Sequence, residues 1–216
     1  MKRLVAVLAA ALLAAGCGID IDDTADVVGA TASVEAVGCQ PTASGTAVAI
    51  GPDRFLTAAH TVTGARELTV TTSRGELPAV TLVLDTDIDV AVLGVDGYDG
   101  PYLELGGERV EAAAAMLLVD DGPVIEPTEL RRVVWTNTPD VFGDGRFERL
   151  SIEIDAEIDF GDSGAAVVDR TGAVVGIVVS DVRDAAIAFA VHPFEIRPRL
   201  EAAVGLTEHV TGRCRR

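Results

Sequence analysis

The sequence predicts an all-β protein. The chain is 49% hydrophobic but only 4% aromatic, so Val, Ala, Leu and Ile must build the core, and valine-rich runs favour strands. Short apolar segments alternate with Gly-Pro-Asp, Ser-Arg-Gly, Gly-Asp-Gly and Arg-Thr-Gly steps, a spacing typical of a β-barrel or β-sandwich. With 216 residues, the chain can bury one large core or two small half-domains packed together.

Residues 1–17 predict an export signal that does not belong to the fold. Lys2 and Arg3 precede an apolar run that is too short to span a membrane comfortably. The run ends in Leu-Ala-Ala-Gly followed by Cys17, which resembles a bacterial lipobox and predicts lipidation of that cysteine. An ordinary cleavable signal is the alternative. In either case we expect an exported protein, held in the cell envelope by the lipid or otherwise secreted.

The charge balance is strongly acidic, with a net charge of −17. Such a surface repels phosphate backbones and anionic lipid headgroups, which argues against nucleic acid as a partner. Membrane attachment would therefore depend on the lipid. The hydrated carboxylates of residues 18–38 predict an acidic tether and N-terminal segment. We expect the folded domain to span residues 39–216, since no linker or internal repeat divides it.

Two cysteines remain after the lipobox, Cys39 near the start of the domain and Cys214 near its end. In an oxidising compartment two such thiols usually pair, so we expect a disulfide. The alternative is two unrelated free thiols. Neither cysteine lies in a catalytic motif.

Eleven apolar segments predict strands. The first six are Thr46–Ile50, Arg54–Ala58, Glu67–Thr72, Ala79–Leu84, Val90–Val95 and Ala113–Val119. The other five are Leu130–Thr136, Leu150–Ile154, Ala165–Asp169, Val174–Val179 and Ile187–Val191. One helix is expected at Phe194–Val204, with Pro198 weakening its middle.

Three motifs follow one another along the chain: Thr-Ala-Ala-His60, Asp-Ile-Asp89-Val-Ala-Val-Leu and Gly161-Asp-Ser163-Gly. A serine hydroxyl becomes a nucleophile when an imidazole accepts its proton, and a buried carboxylate fixes the tautomer of that imidazole. We therefore predict His60 as base, Asp89 as orienting acid and Ser163 as nucleophile. The glycines allow a tight turn, and the N–H groups of Gly161 and Ser163 are the expected oxyanion donors.

A calcium loop is an alternative interpretation of the aspartates at positions 85, 87 and 89. Val90 stands where that loop needs glycine, and Asp96 replaces the glutamate expected at its twelfth position. The sequence contains no other metal-ligand pattern and no phosphate-loop or dinucleotide pattern, so neither metal nor cofactor is expected.

In this order the three motifs resemble those of the trypsin superfamily of serine proteases. The separations of 29 and 74 residues between the three candidate catalytic positions are more similar to its bacterial HtrA-type branch. Further matching residues are Ser44-Gly45-Thr46, Gly172, Gly176 and Phe189-Ala190-Val191. The resemblance covers residues 40–195 and extends to actinobacterial envelope proteases, which carry flanking cysteines.

The resemblance implies two antiparallel six-stranded β-barrels, divided near residue 105, with a short helix at the C-terminal end. His60 and Asp89 would come from the first barrel and Ser163 from the second. The substrate pocket would be lined near the apolar residues Ile158, Val178 and Val179, which implies a preference for small or medium apolar residues. The implied activity is that of a serine endopeptidase acting on peptides or proteins.

The sequence also departs from the HtrA pattern. Few residues follow Val191, so a peptide-binding PDZ domain is not expected. Asp162 stands where that branch commonly has Asn. Trypsins bind this carboxylate with an N-terminus that is freed by cleavage after Arg or Lys, but neither residue occurs between residues 4 and 53.

Two other functions stay open. The first is an inactive trypsin-fold lipoprotein that binds a peptide or an envelope partner, and the second is an esterase.

Overall fold

The computed structural model describes residue 21 and residues 24–39, 42–182 and 185–215. The predicted signal and its Cys17 lie outside these residues. The described chain forms thirteen strands and three short helices, which are α1 (Thr24–Gly29), α2 (Ala59–Val62) and α3 (Pro193–Ala202). The all-β prediction is therefore confirmed. Among the described helices, none has the length and apolar character needed to cross a membrane.

The first half of the domain is a closed antiparallel barrel of six strands, in the order β1-β2-β3-β6-β5-β4. These strands are β1 (Thr31–Val37), β2 (Ala43–Gly51), β3 (Arg54–Ala58), β4 (Glu67–Thr72), β5 (Gly75–Asp85) and β6 (Val90–Gly94). Pairing between β1 and β4 closes the barrel. The first of the two expected barrels is thus confirmed.

Strand β1 moves the start of the domain to before residue 39, the boundary that the sequence predicted. Its apolar residues Ala32, Val34 and Ala36 are buried, while Glu35 between them is exposed. Alternating buried and exposed residues are typical of a strand that has one face in a core. Glu35 belongs to residues 18–38, for which the sequence predicts an acidic tether and N-terminal segment, and its exposed side chain lies on the outward face of β1.

The second half is a seven-stranded antiparallel sheet in the order β8-β7-β11-β12-β13-β10-β9. Its strands are β7 (Ala115–Val119), β8 (Pro123–Pro127), β9 (Leu130–Pro139), β10 (Arg146–Asp155), β11 (Ala166–Val168), β12 (Val174–Val182) and β13 (Ile187–Val191). In the described residues β8 and β9 are its two edges, so the expectation of two closed six-stranded barrels holds for the first half only.

The link between β8 and β9 is bonded to the strands on either side of it. Thr128 donates its N–H to Ala114 and its hydroxyl to the carbonyl of Asp155, and Glu129 accepts from the N–H of Asp155. The polar groups of the link therefore form hydrogen bonds next to β7 on one side and with β10 on the other. Although β8 and β9 are adjacent in sequence, their link is not the turn of a hairpin.

One apolar cluster fills the barrel and continues into the second half through Leu117, Ala166 and Ile177. A second cluster, which includes Met116 and Ile152, lies within the second half. The two halves thus meet across a shared apolar seam.

The C-terminal segment returns from the second half to the barrel. Helix α3 is one residue earlier at its start than predicted and two residues shorter at its end. After it, Val210 donates to Thr81 and Gly64 donates to Thr211. A disulfide joins Cys39 to Cys214 across 175 residues of sequence, so this segment is attached to the barrel covalently as well as by hydrogen bonds.

Candidate active site

The register between β3 and β6 brings His60 and Asp89 together. Ala58 pairs with Val90, so the residues that follow β3 lie beside the residue that precedes β6. The N–H of Ala59 donates to the carbonyl of Asp89 at 3.2 Å, and helix α2 begins there. His60, the second residue of α2, is thereby held next to Asp89.

Two hydrogen bonds join Asp89 to His60. Oδ1 accepts from the backbone N–H of His60 at 2.8 Å, and Oδ2 lies 2.7 Å from the ring Nδ1. The side chains are only 14% and 19% exposed. A carboxylate at Nδ1 favours the tautomer that carries its proton there, which leaves Nε2 free to accept one.

Ser163 lies across the seam from these two residues, and its Oγ is 2.8 Å from Nε2 of His60. Contacts with the barrel hold its turn, since the carbonyl of Ser163 accepts from the N–H of Thr46 at 2.9 Å. Gly164 has a φ of +91°, and a Cβ there would collide with the Thr46 carbonyl and the Thr57 hydroxyl. Glycine is thus required beside the candidate nucleophile.

The candidate oxyanion donors are the N–H groups of Gly161 and Ser163. Within the described ranges, neither N–H donates to a protein acceptor. The carbonyl of Gly161 is held by the hydroxyl of Thr46 at 3.0 Å. The turn therefore has two unused donors beside the Ser163 hydroxyl, which is the chemistry that a developing oxyanion needs.

Asp162 is buried beneath this turn and accepts a hydrogen bond from the N–H of Asp159 at 2.7 Å. Burial raises the pKa of Asp162; the bond from Asp159 lowers it, while the carboxylates of Asp159 and Asp120 raise it further. No ion pair to Asp162 is found among the described residues. The chain thus carries a buried acid where a neutral amide would keep the same hydrogen bond.

We expect Asp162→Asn to stabilise the protein at neutral pH. Because the pKa of Asp162 is raised on folding, its contribution to stability is fully present below the pKa of the unfolded chain and is lost as pH rises through the folded pKa. The amide does not titrate, so its advantage should grow with pH. A gain of about 1 kcal/mol would raise Tm by about 2–4 °C in a domain of this size.

Melting curves at pH 4.5 and pH 7 would measure this difference. Asp96→Asn is the matched control, because Asp96 is exposed and should give the wild-type Tm at both values. Equal Tm values for Asp162→Asn and the wild type at pH 7 would contradict the prediction.

A cavity of about 760 Å³ opens in front of Ser163 and His60. Ile158, one of the three predicted pocket residues, lies on its wall. Val178 and Val179 are buried in β12 and are not among the described residues that line it. Phe160, Asp181 and Arg215 are among the lining residues that sequence reasoning missed.

The aspartates of the alternative calcium loop have other partners. Asp85 forms an ion pair with Arg199 at 2.7 Å, and its other oxygen accepts from the N–H groups of Asp87 and Ile88. Asp89 is bound to His60. The bonds of Asp85 therefore hold the loop that carries Asp89.

Comparisons with known proteins agree with this geometry. A family model described as "Trypsin-like peptidase domain" matches residues 45–177. The chain is 31% identical over 183 residues to "Serine protease Rv3671c" of Mycobacterium tuberculosis, a match that covers 82% of this chain and 46% of that protein. The chain therefore spans less than half the length of this relative.

A second relative and a solved structure complete the comparison. The chain is 32% identical over 136 residues to "Probable periplasmic serine endoprotease DegP-like" of Pseudomonas savastanoi, covering 62% of this chain and 28% of that protein. The crystal structure of the Rv3671c protease in its active form superposes with a TM-score of 0.82 at 29% identity, with 88% of each chain covered.

Proposed function

Because the chain belongs to the trypsin-like peptidase family, we propose that it is a serine endopeptidase that hydrolyses peptide bonds in peptides or proteins. One observation carries this proposal. The ring of His60 is bonded at Nδ1 to Asp89 and at Nε2 to Ser163, at 2.7 and 2.8 Å. This is the arrangement that turns a hydroxyl into a nucleophile.

The first step of the proposed reaction is acylation. Oγ of Ser163 attacks the carbonyl carbon of the substrate while Nε2 of His60 takes the hydroxyl proton. The N–H groups of Gly161 and Ser163 bind the oxyanion of the tetrahedral intermediate. When the C–N bond breaks, His60 gives its proton to the leaving amine, and the substrate acyl group stays on Ser163 as an ester.

The second step is deacylation. His60 takes a proton from water, the resulting hydroxide attacks the ester carbonyl, and Ser163 leaves with the proton that His60 returns to it. Asp89 stays ionised in both steps and stabilises the imidazolium.

We also propose that the protein acts outside the cytoplasm, attached to the membrane through a lipid on Cys17. The charged start, the apolar run and the lipobox of residues 1–17 support this location. The disulfide between Cys39 and Cys214 suits an oxidising compartment. The DegP-like relative is named as periplasmic.

For substrate choice we propose a preference for small or medium apolar residues before the cleaved bond, with Ile158 on the cavity wall as the pocket residue. The mature protein should therefore cleave a mixed peptide library internally, and apolar residues should be enriched directly before the cleavage sites. Mass spectrometry of the products would identify those sites.

The library also separates the alternatives. Cleavage of simple acyl esters with no cleavage of peptides would favour an esterase, and the absence of any turnover would favour an inactive binding protein. Cleavage directed to Lys or Arg would contradict the proposed pocket while leaving the endopeptidase intact.

A further inference from the structure

A buried arginine connects the second half of the domain to the loop of Asp89. Arg149 lies in β10 and is only 3% exposed. Its Nη1 donates to the carbonyl of Ile88 at 2.9 Å. Ile88 immediately precedes Asp89, so this bond crosses the seam and ends at the peptide next to the candidate orienting acid.

The Arg149 guanidinium is buried near two carboxylates. Burial lowers its pKa, and the charges of Asp89 and Glu195 offset part of that shift. Its Nε has no acceptor in the described part of the chain. Because a buried ion pair is often no more stable than an apolar pair of the same shape, global stability alone does not explain an arginine here.

The other charged groups around Asp89 are largely compensated. Asp85, in the same loop, is paired with Arg199 of α3. Glu195 of α3 accepts from the N–H of Leu150 at 3.1 Å and lies 3.6 Å from Arg199. Asp87 of this loop is partly exposed. Asp89 is thus held from both sides of the seam, by His60 through its two carboxylate oxygens and by Arg149 through the preceding carbonyl.

Backbone geometry at Asp89 also needs support. Asp89 has a φ of +64°, a left-handed conformation that costs energy for a residue other than glycine. The bond from Arg149 fixes the carbonyl of the preceding peptide. The arginine therefore contributes to holding the strained turn that directs both carboxylate oxygens at His60.

We propose that Arg149 is a positioning residue for Asp89, and this inference rests on the proposed endopeptidase function. The guanidinium anchors the peptide before Asp89. It thereby holds the two carboxylate oxygens where they bind the backbone N–H and the ring of His60.

The test compares Arg149→Met and Arg149→Lys with the wild type, using a peptide substrate and measuring kcat and KM separately. For Arg149→Met we expect kcat to fall by about 10²-fold, as for a small misplacement of a catalytic group, with little change in KM. Arg149→Lys keeps a cationic donor for the carbonyl of Ile88, so it should show a smaller loss of kcat.

Arg132→Met is the matched control, because Arg132 is an exposed arginine of β9 that pairs with Glu153. It loses the same charge and should keep the wild-type kcat and KM. If Arg149→Met shows the wild-type kcat while the wild type hydrolyses the peptide, the inference is wrong. If the wild type itself does not hydrolyse any peptide, the proposed function fails instead.

A melting curve would show whether Arg149→Met folds. If it does not, Arg149→Lys decides the question, because its ammonium keeps the charge but not the planar geometry of the guanidinium. A loss of kcat with an unchanged KM would support the inference. A wild-type kcat for Arg149→Lys in that case would overturn it.

Discussion

Ser163→Ala is expected to reduce kcat for peptide hydrolysis by about 10⁶-fold and to abolish covalent labelling by a fluorophosphonate. The alanine has no oxygen that could attack the carbonyl or the phosphorus. In other serine proteases, removal of the nucleophile costs about this much, and the residual rate comes from substrate binding and the oxyanion donors. Gel fluorescence after labelling and a discontinuous peptide assay would measure both effects.

Ser73→Ala is the control for this change. Ser73 is exposed in the turn between β4 and β5 and should label and hydrolyse like the wild type. Equal labelling of Ser163→Ala and the wild type would show that another residue is the nucleophile. Substrate binding should survive the substitution, because only the side-chain oxygen is lost.

Asp89→Asn is expected to lower kcat by about 10⁴-fold, the size of the effect for the corresponding change in a related triad. An amide in this position can turn its NH₂ group toward Nδ1 of His60. The imidazole would then carry its proton on Nε2, where it could not accept the proton of Ser163. Both oxygens of Asp89 are bonded to His60. A small rotation of the amide would therefore not take its NH₂ group away from His60.

Asp87→Asn tests the same loop with the same chemical change. The bonds of His60 go to Asp89 and not to Asp87, so this variant should keep its activity. A loss of less than tenfold in Asp89→Asn would contradict the assignment of Asp89 as the orienting acid. Melting curves of both variants would separate this effect from unfolding.

The residues of the candidate triad could be predicted because each lies in a short local pattern. His60 follows a strand and small residues, Asp89 precedes a buried strand and Ser163 lies between glycines. The sequence could not show that they meet. That meeting depends on the register of β3 with β6, which sets the distance between His60 and Asp89, and on the packing of the two halves, which sets the distance to Ser163.

Arg149 could not be predicted in the same way. In β10 the alternate residues Arg149, Ser151 and Glu153 are polar, a pattern that predicts a solvent-exposed face. The structure buries all three. Their burial results from contacts made only after the chain has folded, as when Arg149 reaches Ile88 in the other half. No local pattern records such contacts.

The sequence predicted every strand of the described chain except β1 and β8, and β1 was missed because its residues were interpreted as part of the acidic N-terminal segment. Strand β8, with a proline at each end, was missed because proline and turn residues dominate its local sequence. Helix α2 was missed because one turn is too short to give a helical period. The closure of the second sheet is implied only by the resemblance, and in the described residues β8 and β9 lie at its opposite edges.

The seam between the halves has a consequence for inhibition. Proton transfer between Ser163 and His60 takes place across it, over 2.8 Å, and a displacement of about 1 Å at a reacting group can cost about 10²-fold in rate. A compound bound between the two halves of the domain, away from the substrate cleft, would increase the distance between Nε2 of His60 and Oγ of Ser163. It would act as a noncompetitive inhibitor, lowering turnover while peptide affinity stayed the same.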